Sequence, residues 1–140
     1  MLAQRGMSPS LLIGHSLGGA AVLKLAPELE GIKAVVTLGA PYNPWHVTHN
    51  FGGALDEIAA NGKASVNLGV RPVTIGQSFV EDVSAANLRD AITASKAALL
   101  VMHAPLDTLV GVENATNIFV AAQHPKSFVT LDDADHLITN

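Results

Sequence analysis

Leu11-Leu12-Ile13-Gly14-His15-Ser16-Leu17-Gly18-Gly19-Ala20-Ala21 decides how this chain is read. A short apolar run leads into a turn of glycines around a serine, and an Ala- and Leu-rich stretch leads out. Residues 11–13 have the size and character of a buried strand, and Leu17 to about Leu29 reads as a helix with Pro27 near its end. Gly14-His15-Ser16-Leu17-Gly18 fits G-x-S-x-G, a sharp strand-to-helix turn that lifts a serine hydroxyl above a sheet. The spacing has a steric reason. Side chains two before and two after the serine would collide with the turn, so Gly14 and Gly18 are both expected to be required. Ser16 also opens a helix, where unpaired N–H groups and the dipole favour developing negative charge. The backbone N–H of Leu17 is then placed to donate to an oxyanion. The competing reading is a plain turn with Ser16 as helix N-cap; the apolar strand before it and the helix after it favour the nucleophile.

Outward from this turn, short apolar runs alternate with helical stretches. Residues 33–38 (KAVVTL), 97–103 (AALLVMH) and 127–131 (SFVTL) read as three further buried strands, and 112–123 (VENATNIFVAAQ) as a helix. Apolar strands separated by helices imply a parallel sheet covered on both faces, so the fold class is α/β with about four parallel strands and flanking helices. Residues 42–96 interrupt this rhythm. They open with Pro44 and Trp45, pass Asn61-Gly62, and hold ASVNLGVRPVTI (64–75), read as a β-hairpin turning at Leu68-Gly69. A helical segment from Gln77 to about Ser95 follows. The stretch is expected to be a cap-like insertion within a domain spanning 1–140, at the strand ends where α/β sheets bind ligands.

A nucleophilic serine needs a base and a group that orients the base, in the chain order Ser, Asp or Glu, His. Asp107 follows the third strand in HAPLDTLVG, and His136 follows the fourth in LDDADHLI. Both fall on loops at the same sheet edge as Ser16. Asp132, Asp133 and Asp135 also lie near His136, but a neighbour along one loop rarely reaches its own imidazole from behind, so Asp107 is the expected orienter. His15 is a candidate pocket residue; it points away on the elbow, which favours packing or support of a neighbouring group. His103 ends a buried strand and reads as a hydrogen-bonded residue near the core. His124, before Pro125, reads as a helix C-terminal cap. His46 and His49 have H-x-x-H spacing, with no acidic or cysteine partner nearby; no metal and no cofactor are expected. Trp45, Phe51 and the hairpin are candidate walls of an apolar acyl pocket, against the competing reading that they form the insertion's own core.

Composition narrows the classes. The chain has 140 residues, 49% apolar and 14% charged, with no cysteine and a net charge of −4; mean hydropathy is +0.33 and the pI is near 5.8. This excludes a disordered chain and a disulfide framework. No basic cluster marks a nucleic-acid footprint. No apolar run reaches the roughly 18 residues of a membrane span, since Lys24, Glu28 and Glu30 interrupt the best stretch. MLAQRGMSPS lacks the apolar core of a secretory signal, so a cytoplasmic location is expected.

GHSLGG after one strand, HAPLDTLVG after another and DADH after a third resemble the α/β-hydrolase superfamily. APYNPWHVTHNF, GVRPVTIGQSFVEDV and HAPLDTLVGVENATNIFVAAQHPKSFVTLDDADHL narrow the resemblance to the hydrolase half of a bacterial family. There the hydrolase is often fused to an OsmC-type, peroxiredoxin-like domain. The resemblance covers nearly the whole chain. It implies Ser16, Asp107 and His136 as a catalytic triad acting on a small acyl substrate such as a carboxylic ester. It also implies that these residues form the C-terminal half of a larger domain. Four strands with two covering helices, and the loop giving a second oxyanion N–H, are expected before Leu11; a covering helix is expected after Asn140. The competing expectation is a fragment or interaction module of impaired catalysis that self-associates, or takes a partner, through the edge of the elbow strand.

Overall fold

The computed structural model describes residues 6–67 and 72–139. Their contacts divide into two compact units, residues 1–42 with 87–140 and residues 43–86.

The first unit is a four-stranded parallel sheet with helices. Strands β1 (Leu11–His15), β2 (Ala34–Leu38), β5 (Ala98–His103) and β6 (Lys126–Thr130) lie in that spatial order. A hairpin, β3 (Lys63–Asn67) and β4 (Pro72–Gly76), falls between β2 and β5 in sequence and belongs to the second unit. Pairing aligns Gly14 with Thr37 and Thr37 with Val101, and so fixes which side chains share a face. Val35 and Thr37 of β2 and Leu99, Val101 and His103 of β5 are buried on one face. Helices α1 (Leu17–Leu25), α4 (Leu88–Ala94) and α5 (Glu113–Ala121) supply Ala20, Leu23, Leu88, Ile92, Ala115 and Ile118 to the same core. The other face is apolar too, with Val36 and Leu100 half-buried, but Leu11 and Ile13 on β1 are 48% and 62% exposed. Among the described residues the helices of this unit therefore form one layer, where the apolar runs had implied two.

Helix boundaries differ from the sequence expectation for local reasons. The helix after the elbow stops at Leu25 and tightens into a 3-10 turn over Ala26–Glu28, where Pro27 lacks the amide a further turn would need. The expected helix from Gln77 to Ser95 is two helices, α3 (Gln77–Ala85) and α4. Ala86 and Asn87 between them are extended, and Asn87 Nδ2 donates to Asp90 Oδ2 at 2.9 Å in the first turn of α4. The unit boundary falls at this break, so α4 lies with the sheet and the second unit is shorter than 42–96. Nor does His124 cap α5. Lys126 Nζ donates to the carbonyls of Phe119 and Ala122, each at 2.8 Å, and lies over the Phe119 ring.

The second unit begins with a 3-10 stretch, Pro44–Phe51, whose first free amide, Trp45 N–H, donates to Asn43 Oδ1. Helix α2 (Ala54–Asn61) follows and ends on Gly62, whose positive φ of 76° closes the last turn. Strands β3 (Lys63–Asn67) and β4 (Pro72–Gly76) pair antiparallel, with Ser65 opposite Thr74. The expected turn at Leu68-Gly69 lies outside the described residues. Phe51, Ile58, Ala64, Val66 and Ile75 make this unit's core. No helix among the described residues is long and apolar enough to cross a membrane.

Candidate active site

All four parallel strands end at one edge of the sheet, and the backbone there is tied strand to strand. Ser16 N–H donates to the Leu38 carbonyl at 2.8 Å, Gly39 N–H to Met102 at 3.0 Å and Leu131 N–H to His103 at 2.9 Å. The loops leaving β1, β2, β5 and β6 thus start from fixed positions.

Ser16 stands at φ 52°, ψ −127°, a conformation that L-residues rarely adopt. The chain turns sharply there from β1 into α1. Gly14 is required: a Cβ there would lie 2.3 Å from the Gly18 carbonyl oxygen. Gly18 is not required in this way, because a Cβ there would meet nothing within 4 Å. The second close approach belongs instead to Gly19, where a Cβ would lie 2.5 Å from Ala40 Cβ. The elbow helix crosses the end of β2 through its third residue, not its second. The amides at the N-terminus of α1, Leu17 first, have no acceptor within the helix.

Asp107 is buried, its side chain 1% exposed. Oδ1 accepts the amides of Leu109 and Val110, each at 2.9 Å, a local turn that Asp side chains favour. Oδ2 is 2.6 Å from His136 Nδ1. His136 Nε2 is in turn 2.9 Å from Ser16 Oγ. With a carboxylate facing Nδ1, that nitrogen carries the proton and donates to Asp107, leaving Nε2 to accept from the serine hydroxyl. Residues 16, 107 and 136, on three different loops, therefore form one hydrogen-bonded line.

Several supporting residues were not singled out by the sequence. Gly39, at φ 54°, follows β2 beneath the imidazole; a Cβ there would approach Asp107 Oδ2 and His136 Nδ1 to 3.4 Å. Buried Asn114 accepts the Tyr42 amide and donates to the Gly111 carbonyl, joining the loop after β2 to the start of α5. A glycine directly after a predicted strand end was the one available signal for the first; nothing in the sequence marks the second. His15 donates through Nε2 to the His136 carbonyl at 2.7 Å, and the two ring centroids are 5.1 Å apart. It is thus tied to the loop that carries His136. Asp135 bonds Thr139 through both the backbone amide and the hydroxyl, and these bonds, the hydroxyl's first, hold its carboxyl below the usual range. Asp132 and Asp133 are exposed.

In the second unit, Phe51 is buried in that unit's own core, with its ring 6.2 Å from that of Phe79. Trp45 is 36% exposed. His46 and His49 stack at 5.5 Å on the 3-10 stretch. Among the described residues no three His, Cys, Asp or Glu side chains converge as a metal site would require.

The chain resembles solved structures of known description. An esterase domain of a Rhodothermus marinus protein is 50% identical over 99% of this chain, with a TM-score of 0.85. Est1E from Butyrivibrio proteoclasticus is 19% identical over 91% of the chain, TM-score 0.72, and a monoacylglycerol lipase of Paleococcus ferrophilus is 18% identical over 96%, TM-score 0.73. The chain spans 57%, 53% and 62% of those three chains. No protein-family model and no curated protein sequence matches it. The architecture is part of the α/β-hydrolase fold.

Proposed function

We propose that this chain carries the nucleophile, base and orienting acid of a serine hydrolase acting on carboxylic esters. The observation behind the reading is the hydrogen-bonded line from Asp107 Oδ2 through His136 to Ser16 Oγ. The likeness to the Rhodothermus marinus esterase domain supports the same class.

In this reading Ser16 Oγ attacks the ester carbonyl carbon while its proton passes to His136 Nε2. The carbonyl oxygen becomes an oxyanion that the Leu17 N–H receives. The new imidazolium is stabilised by Asp107, which also keeps the Nδ1 proton in place. The tetrahedral intermediate collapses, the bond to the alcohol oxygen breaks, and the alcohol leaves with the proton from Nε2. Water then repeats the two steps on the acyl-serine and releases the acid. The strained backbone at Ser16 and the hydrogen bond from its amide to the Leu38 carbonyl hold the hydroxyl against His136.

Hydrolysis of p-nitrophenyl esters of graded acyl length tests the proposal. Turnover is expected in the wild type and is expected to fall by about 10⁴–10⁶-fold in Ser16→Ala and His136→Ala. Turnover that survives both substitutions would overturn it.

A further inference from the structure

His103 is not part of the triad line, yet it is the largest buried titratable side chain beside it. It ends β5, is 1% exposed, and its Nε2 lies 2.8 Å from the Val110 carbonyl oxygen and 3.7 Å from Asp107 Oδ2. A carbonyl only accepts, so Nε2 carries a proton and donates. Val110 is therefore held at both ends of its backbone: its N–H by Asp107 Oδ1 and its carbonyl by His103. Residues 103–110 close into a loop that begins and ends on the same imidazole, with Asp107 inside it.

Resting on the serine-hydrolase reading, we propose that His103 is a positioning residue for Asp107. By fixing the Val110 peptide it fixes one of the two amides that orient Oδ1. The orientation of Oδ1 sets the direction of Oδ2, the oxygen that meets His136. Oδ2 meets the His136 Nδ1–H at 2.6 Å, while His103 Nε2 stands 3.7 Å away with its proton committed to the Val110 carbonyl. Without the imidazole, the buried Val110 carbonyl loses its partner and the loop gains a reason to relax, because an unpaired buried carbonyl is costly. A displacement of about 1 Å at a catalytic group costs on the order of 10²-fold in rate.

The test compares three substitutions in the full chain. His103→Gln puts an amide donor close to where Nε2 stood, His103→Asn carries the same donor one bond short, and His103→Leu has none. Two readouts are taken: kcat and KM on a p-nitrophenyl ester, and the low-field proton resonance of His136 Nδ1 in the Asp107 hydrogen bond. The Leu and Asn variants are expected to lose about 10²-fold in kcat with little change in KM, and to lose or shift that resonance. The Gln variant is expected to keep most of both. Equal behaviour of Gln and Asn, or an unchanged resonance and kcat in Leu, would overturn the proposal. If Leu fails to fold, the Gln–Asn comparison carries the test. An inert wild type would sink the hydrolase reading alone, because the resonance reads the Asp107–His136 bond without turnover.

Discussion

Ser16 holds a backbone conformation that costs on the order of 1–3 kcal/mol, and its neighbours must over-determine it. Two features do so: the hydrogen bond from the Ser16 N–H to the Leu38 carbonyl, and the bare Cα of Gly14 against the Gly18 carbonyl. Gly14→Ala is thus expected to destabilise the protein by several kcal/mol or to prevent folding, since a rigid backbone atom cannot yield. Gly18→Ala, in open space on α1, is expected to be neutral or to stabilise by up to about 1 kcal/mol. Thermal melts of the two variants check this contrast. At the other end of the line, Asp107→Asn removes the acceptor that sets the His136 tautomer; kcat is expected to fall about 10⁴-fold. Asp135 gives a pH prediction. Its carboxyl titrates lower folded than unfolded, so it adds stability above 3.8, and that stability is lost as pH falls through the folded value. Thr139→Val removes the hydroxyl, which is the larger cause. The variant is expected to melt below the wild type at neutral pH, with the gap closing as pH drops below 3.8.

Among elements, β1 and α1 were the most legible, because the elbow is a local motif and its strand and helix are adjacent in sequence. The loops of Asp107 and His136 were legible for a related reason: each follows directly on an apolar strand. Less local features escaped. Which glycine is pressed depends on where α1 crosses Ala40, and no spacing rule carries that information; hence Gly19 and not Gly18. Helix α2 was missed because its eight residues bury only Ile58 and follow two glycines. The bond from His15 to His136 spans 121 positions and exists only once the fold brings β1 to the last loop. The cap of α5 was read onto His124 from proximity, but the lysine two residues on has the reach and the three donors to meet two carbonyls. Lys126→Met is expected to cost about 1 kcal/mol, read from thermal or urea unfolding.

For the whole molecule, the apolar composition is spent on a sheet whose two faces differ. One packs on α1, α4 and α5, while Leu11 and Ile13 on the other are open to solvent. Among the described residues β1 pairs with β2 alone. A free, apolar strand edge favours association. A 140-residue chain of this sequence is expected to self-associate in light scattering, and Ile13→Lys to shift it toward monomer. The central claim is narrower: one serine, made reactive by one histidine and one aspartate. Treatment with a fluorophosphonate followed by peptide mass mapping tests it most directly. The account predicts a single phosphonate on Ser16, sharply slowed in His136→Ala and absent in Ser16→Ala. Labelling that is equal in the Ser16→Ala variant, or no adduct on Ser16 of the folded wild type, would contradict it.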